Sequence, residues 1–245
     1  MPHSKPITPY KDETTGKKQQ VERMFDTISG GYDGLNRIIS LGIDRSWRRK
    51  VVKMAAKENP GAILDIATGT GDLAIAFAKK TAAEKIVGLD LSEGMLNVAR
   101  QKANALKLGP KIEFIKGDCE ALPFTDNCFD AITVSFGIRN FENLQKGLSE
   151  IYRVLKKGGQ FVVLETSVPT KFPVKQGYDM YTKGILPIIG RLFSKDKGAY
   201  TYLSESAAVF PHGKALNNIL KKTGFIQVLN KPQTLGVATI YVATK

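Results

Sequence analysis

Apolar residues recur in two rhythms along this chain, and the change between them falls at Pro60-Gly61. Before that point Val21, Met24, Phe25 and Ile28 are spaced three and four apart, which predicts an amphipathic helix from about residue 17 to 29. The Gly30-Gly31 pair ends it, and a second helix is predicted from near Asp44, a residue type able to cap a helix start. Beyond residue 61, short apolar runs at 62–66, 85–90, 112–116, 129–135 and 160–165 alternate with helix-length stretches at 72–80, 94–106 and 144–155. This alternation predicts a parallel sheet with helices on both faces. Two last apolar runs, 225–230 and 237–243, are separated by Pro232 and Gly236, too short a link for a parallel crossover but enough for an antiparallel hairpin. The expected fold class is α/β, a doubly wound, Rossmann-like sheet of seven strands with an antiparallel C-terminal hairpin.

Two segments stand outside the pattern. Residues 1–16 are polar and carry Pro2, Pro6, Pro9 and Gly16, which reads as a flexible tail ahead of a single domain, 17–245, that begins with the helices of 17–59. Residues 167–210 mix Phe172, Tyr178, Tyr181, Ile185, Leu186, Ile188, Ile189, Leu192 and Phe193 with Lys171, Lys175, Lys183, Arg191, Lys195 and Lys197. That is too long for a bare loop and predicts a helical lid over the carboxyl edge of the sheet, where open α/β sheets bind ligands.

Composition narrows the setting. With 245 residues, 42% apolar and 24% charged, the chain can bury a full sheet. No apolar run approaches the roughly eighteen residues of a membrane span, and no basic-then-apolar leader opens the sequence. A cytoplasmic protein is expected, attached at most to the inner face of a membrane. Cys119, Cys128, His3 and His212 have no metal-ligand spacing, so no metal is expected, and the two thiols read as small buried or loop residues. The net charge of +13 suits nucleic acid, an anionic membrane or acidic substrates, although spread charge of this kind also simply solvates a surface.

The chemistry begins at Leu64-Asp65-Ile66-Ala67-Thr68-Gly69-Thr70-Gly71-Asp72-Leu73. Gly69 and Gly71 fall where a strand turns into a helix, so backbone amides can approach a ligand. Gly69-Thr70-Gly71-Asp72-Leu73-Ala74 also satisfies a dinucleotide pattern, with Asp90 at the distance of a ribose contact. Asp65 weighs against that reading. A carboxylate ending the first strand sits poorly beside a pyrophosphate and well beside the amino group and sulfonium of S-adenosylmethionine. Asp90 ends the second strand, where an acid can bind both ribose hydroxyls, and Asp118 follows the third, where it can accept from the adenine amine. Singly each acid suits a turn or helix cap equally well; three at successive strand ends favour a ligand.

Three stretches resemble the successive cofactor motifs of class I methyltransferases: residues 65–72, Gly88-Leu89-Asp90-Leu91-Ser92-Glu93-Gly94-Met95-Leu96, and Gly117-Asp118-Cys119-Glu120-Ala121-Leu122-Pro123-Phe124. The resemblance implies cofactor contacts from Thr70, Asp90, Asp118, Cys119 and Ser135, with Gly69 and Gly71 shaping the turn. Ser135-Phe136-Gly137-Ile138-Arg139-Asn140 and the run from Tyr32 to Arg49 further resemble the ubiquinone/menaquinone biosynthesis C-methyltransferase family. So do Tyr152-Arg153-Val154-Leu155-Lys156 and the terminal hairpin, and the likeness spans nearly all of the chain beyond the tail. Gly34 and Arg37 depart from the more usual apolar and acidic residues, and Asp118-Cys119 replaces a pair that is often Asn-Ala.

The resemblance implies methylation of a ring carbon of a prenylated quinol, demethylmenaquinol being preferred. The ubiquinol precursor 2-methoxy-6-polyprenyl-1,4-benzoquinol and another small aromatic molecule are the alternatives. Such a carbon becomes nucleophilic when the neighbouring hydroxyl loses its proton, about three pH units uphill at neutrality for a phenol. A site for this needs a partner for the phenolate, a proton route and tight orientation. Arg139 is expected to face the phenolate and Asn140 to position the ring oxygen or a water, with Tyr32 a further hydrogen-bonding group. Arg139 also suits a structural ion pair, and as a base it is poor. A membrane-borne substrate would make the basic, aromatic lid sensible. Nucleic acid is not expected as a partner, since no RNA-binding module or zinc finger is recognisable.

Overall fold

The computed structural model describes residues 7–10, 14–185 and 197–245. Its strands are β1 (Ala62–Ile66), β2 (Lys85–Asp90), β3 (Ile112–Lys116), β4 (Phe129–Ser135), β5 (Leu155–Thr166), β6 (Ile226–Gln233) and β7 (Ala238–Thr244). They form one sheet in the order β3-β2-β1-β4-β5-β7-β6. Strands β1 to β5 pair in parallel, while β7 runs antiparallel to both β5 and β6. The alternating runs therefore produced the expected mixed seven-stranded sheet.

The helices are α1 (Lys17–Ile28), α2 (Tyr32–Ile39), α3 (Asp44–Ala55), α4 (Asp72–Lys80), α5 (Glu93–Ala105), α6 (Leu144–Val154), α7 (Val174–Met180), α8 (Lys197–Val209) and α9 (Lys214–Thr223). Apolar residues of the central strands alternate between two layers. Leu64, Ile66, Val134 and Val163 face α6 and α9, whereas Ile63, Ala131 and Val162 face α3 and α4. Burial of this kind is worth about 1.5–3 kcal/mol per large aliphatic side chain, and the strands read as continuous apolar runs because both faces are covered.

Four expectations change. Asp44 is the first residue of α3 and not its cap; Ile43 holds the cap position without a side-chain bond. The Asp44 carboxylate instead accepts from Ser40 Oγ at 2.7 Å and pairs with Arg48. Helix α2 lay behind the Gly30-Gly31 break and Gly34, both unfavourable for a helix. It is held by tertiary contacts, among them an edge-on Phe25–Tyr32 pair with ring centroids 5.9 Å apart. Helix α9 was also missed, although Leu216 and Leu220 have helical spacing and Gly224 closes it at φ +116°. Strand β5 starts five residues before the predicted one, leaving α6 directly and continuing through Gly158-Gly159.

Of the residues read as a tail, 7–10 lie against the body: Ile7 and Tyr10 pack with Val21, Met24, Ala199 and Tyr202, and Tyr10 N donates to Gln20 Oε1 at 2.9 Å. Residues 1–6 and 11–13, with Pro2, His3, Lys5, Pro6 and Lys11, lie outside the described residues, as do Leu186, Ile188, Ile189, Arg191, Leu192, Phe193 and Lys195 of the expected lid. Within 167–210 the described residues form α7, a π-helical turn (Tyr181–Ile185) and α8. Among the described residues no helix is long and apolar enough to cross a membrane.

Candidate functional site

The carboxyl ends of β1 and β4 turn sharply, and the turns use backbone conformations that are costly elsewhere. Ala67 and Phe136 take positive φ, +51° and +58°, alongside Gly69 at +57° and Gly71 at +77°. Non-glycine residues in this region cost of order 1–3 kcal/mol and gather at ligand sites. Gly137 brings the two turns together, since a Cβ on it would lie 2.4 Å from Ala67 Cβ. Gly71 has a different task from Gly69. A Cβ there would lie 2.9 Å from both Ala99 Cβ and Phe114 Cζ, so it lets α4 begin against α5 and β3.

Over these turns lies a cleft of about 720 Å³. It brings together seven of the predicted residues: Tyr32, Gly69, Asp90, Asp118, Cys119, Ser135 and Asn140. A smaller pocket beside it holds Asp65 and Thr70, and shares Tyr32, Gly69 and Ser135 with the cleft. Gly71 and Arg139 line neither.

The three acids differ in environment. Asp65 is buried and accepts from Thr68 Oγ1 at 2.6 Å and Thr133 Oγ1 at 2.7 Å. Burial pushes its pKa up to about 6, against the opposing pull of those two hydroxyls. Asp90 is likewise pushed up to about 6 by burial, although it accepts from Gly69 N at 2.8 Å and Ser92 N at 2.9 Å. Asp118 is held below its ordinary value: burial would raise it, but Lys18 at 2.8 Å and the Glu120 amide at 2.8 Å outweigh that. Cys119 is buried in the cleft wall, and burial pushes its thiol up, so it stays protonated and is no nucleophile. Thr70 has spent its hydroxyl on Asp33, which also takes Lys102 Nζ at 2.7 Å. Ser135 Oγ, by contrast, is buried without a hydrogen-bond partner.

Helix α1 lies along the cleft and is tied to its rim at four places that sequence reasoning missed. Lys17 Nζ donates to the carbonyls of Arg139 at 3.1 Å and Phe141 at 2.9 Å, Lys18 pairs with Asp118, and Glu22 meets Lys116 at 2.7 Å. Asp26 Oδ1 accepts from Ser92 Oγ at 2.6 Å and Gly94 N at 2.9 Å, adding to the Ser92 cap of α5. All are ordinary surface residue types whose partners lie far along the chain, so nothing local signalled them.

Beside the carbonyls that Lys17 holds, Asn140 Oδ1 accepts from Tyr202 Oη of α8 at 3.1 Å. Tyr32 is next to both pockets, and burial raises the pKa of its phenol. Arg139 turns from the cleft into a buried pair. Nη1 donates to Glu165 Oε1 at 2.6 Å and to the Phe136 carbonyl at 2.9 Å, and the two side chains are 7% and 2% exposed. Glu165 was not singled out from the sequence, because an acid near the end of an apolar run carries no local mark of its partner.

Comparison with known proteins gives a consistent picture. The profile of the ubiE/COQ5 methyltransferase family matches residues 13–245. The chain is 50% identical over 240 residues to a demethylmenaquinone methyltransferase of Bacteroides fragilis, an alignment that covers 98% of this chain and 97% of that protein. It is 42% identical over 240 residues to the ubiquinone/menaquinone biosynthesis C-methyltransferase UbiE of Geobacter sulfurreducens, covering 98% and 93% of the two chains. A solved SAM-dependent methyltransferase of Thermotoga maritima, a possible histamine N-methyltransferase, superposes with a TM-score of 0.60 over 91% of this chain and 99% of that one. Its identity is 19%, so that likeness speaks for the fold alone.

Proposed function

The chain belongs to the ubiE/COQ5 methyltransferase family, and from that premise we propose that it carries a methyl group from S-adenosylmethionine to a ring carbon of a prenylated quinol, demethylmenaquinol before the benzoquinol precursor of ubiquinol. The observation that carries the reading is one cleft that brings Asp90 at the end of β2 and Asp118 after β3 together with Tyr32 of α2 and Asn140 after β4. The names of the relatives support the quinol, and those at 45–50% identity are called demethylmenaquinone methyltransferases.

The residues present fit S-adenosylmethionine. Asp65, Asp90 and Asp118 suit a ligand with a net positive charge and sugar hydroxyls, Gly69 and Thr70 form the turn beside it, and Cys119 and the unpartnered Ser135 Oγ complete the wall. When bound, this ligand supplies an electrophilic methyl on a sulfonium. The protein's part is to hold donor and acceptor in line, exclude water and stabilise negative charge on the ring oxygen. Asn140, Tyr32 and Arg139 are the residues that would do so.

Ligand affinity is expected to fall about tenfold between pH 7.5 and 5.5, because a cation prefers ionised Asp65 and Asp90, whose pKa values stand at about 6. Calorimetric titration at the two pH values checks this, and an unchanged Kd would remove both acids from the ligand. For the free chain the sign is opposite. Folding raises both values above the ordinary 3.8, so their burial opposes folding above about pH 6 and the opposition fades as pH falls toward 4.

Peripheral membrane contact is part of the same reading. Leu41 after α2 and Phe172 and Met180 around α7 are exposed large apolar side chains near Arg37, Arg45, Lys171 and Lys175 in sequence. Tyr181 Oη, donating to the Ile39 carbonyl at 2.7 Å, joins the two segments. Such a mixture suits an anionic membrane in which the quinol resides, with the described residues 167–185 and 197–210 as parts of the lid.

The decisive assay follows methyl transfer from labelled S-adenosylmethionine to reduced demethylmenaquinone and, separately, to the benzoquinol precursor. Label in the naphthoquinol is the expected result. Binding of S-adenosylmethionine with no label in either quinol would overturn the substrate.

A further inference from the structure

Among the described residues four buried side-chain polar atoms have no hydrogen-bond partner, and two of them, Arg139 Nε and Glu165 Oε2, belong to one buried ion pair, with Ser135 Oγ a third at the end of β4. Ser135 ends β4 and is in register with Leu164, the residue before Glu165 on β5. Arg139 reaches the same place from the turn after β4. Orphaned buried polar atoms are rare in native folds, and each needs an explanation. Arg139 Nε and Glu165 Oε2, a donor and an acceptor on two paired side chains, describe a receptor for one more hydroxyl group.

We propose that Glu165 is the proton acceptor of the reaction, its Oε2 taking the proton of the quinol hydroxyl next to the reacting carbon while Arg139 holds the oxygen. This rests on the quinol reading above. The three acids assigned to the cofactor are occupied. Both Asp65 oxygens accept from threonines, both Asp90 oxygens from backbone amides, and both Asp118 oxygens from Lys18 and Glu120 N. Glu165 keeps three bonds on Oε1, from Arg139, Thr166 N and Thr166 Oγ1, and leaves Oε2 open. Arg139 fixes the carboxylate through the bond from Nη1 to Oε1.

The ground is already shaped for a phenol. Tyr202 Oη, which donates to Asn140 Oδ1, lies in the field of both Arg139 and Glu165. A quinol hydroxyl entering from the cleft exchanges one phenol for another, which keeps the cost of opening this buried ground low. The other titratable groups that feel the pair are Tyr32 on α2, Tyr178 on α7, Tyr241 on β7 and Lys17 on α1. None of them is a better base at neutral pH, since burial raises the phenols and Lys17 is spent on two carbonyls.

A carboxylate is too weak to ionise a resting phenol, whose pKa is near 10, but it need not. As ring electrons form the new C–CH3 bond and the S–CH3 pair stays with sulfur, the hydroxyl becomes strongly acidic and its proton passes to Glu165 Oε2. The methylated carbon then loses its hydrogen to water as Glu165 returns a proton to the ring oxygen. One proton is released for each methyl transferred, and the carboxylate is regenerated.

The test compares the intact wild-type chain with Glu165→Gln and Glu165→Asp, using reduced demethylmenaquinone in detergent and checking each variant for folding by circular dichroism. Glu165→Gln is expected to lose about a hundredfold in kcat, the usual scale for a positioned base, with the Kd of S-adenosylmethionine by calorimetry changed less than threefold. Its remaining rate should rise tenfold per pH unit between 7 and 9, as bulk ionisation of the quinol takes over, where the wild type rises less. Glu165→Asp, which keeps the pair but draws the oxygen back, should lose about tenfold in kcat, and it decides the matter if Glu165→Gln does not fold. A folded Glu165→Gln with wild-type kcat, a loss confined to the Kd of S-adenosylmethionine, or an unimpaired Glu165→Asp where Glu165→Gln is unfolded would overturn the inference alone. A wild-type chain that methylates no quinol would overturn the substrate reading and this inference with it.

Discussion

Arg139→Ala is expected to lower methyl transfer about a thousandfold, the upper range for removing an electrostatic stabiliser, and to lower the melting temperature by roughly 10 °C. The second effect comes from Glu165, which is left charged and buried without its partner. Breaking a buried pair from one side costs about 3–5 kcal/mol, whereas replacing both members by apolar residues is often neutral. The double variant Arg139→Leu/Glu165→Leu should therefore regain most of the melting temperature and none of the activity. Scanning calorimetry and label transfer on the two variants check this. A double variant with restored activity would show that the pair only holds the fold.

Gly137→Ala is expected to weaken S-adenosylmethionine binding by about a hundredfold and to cost about 3 kcal/mol of stability, the upper part of the usual range for overpacking. Its φ of −110° is open to alanine, so conformational preference is not the obstacle. The obstacle is space, for the new Cβ would lie 2.4 Å from Ala67 Cβ and force the ends of β1 and β4 apart. Ala67→Gly on the same chain removes the opposing methyl and relaxes a residue held at φ +51°, so the double variant should recover affinity. Binding of S-adenosylhomocysteine measured on the single and double variants decides it. No recovery would mean that the loss comes from something other than this contact.

The two changes lie two residues apart in the turn after β4, and their readouts separate. Arg139→Ala should leave cofactor binding intact in whatever fraction is folded, since Arg139 lines neither pocket. Gly137→Ala should act first on that binding, because Ala67, Ser135 and Phe136 lie on both pockets.

Much of the fold was legible because its signals are local. Strands β1 to β4 were readable to the residue, since each is a short apolar run between polar, glycine-bearing or helix-length stretches. The parallel order followed from helix-length links and the antiparallel end from a short one. The elements that were missed are those that local preference disfavours. Helix α2 carries Gly34 and follows a glycine pair, and it exists because Asp33 reaches Lys102 and Thr70 while Tyr32 meets Phe25. Asp44 has the right chemistry for a cap, but Ser40 and Arg48 claim its carboxylate.

The same division runs through the site. The sequence by itself determined the sheet, the glycine turn at Gly69 and Gly71, and the series of acids Asp65, Asp90 and Asp118, because those depend on residues adjacent along the chain or on strands with a fixed order. Tertiary structure alone decided how each acid is spent: Asp118 on Lys18, Asp65 on Thr68 and Thr133, Asp90 on the turn of Gly69. It also decided that α1 straps the cleft through Lys17, Lys18, Glu22 and Asp26, and that Arg139 points into the protein toward Glu165. Which groups share a charge or a proton depends on distances between parts of the chain far apart in sequence, and those distances exist only once the sheet has brought the strand ends together.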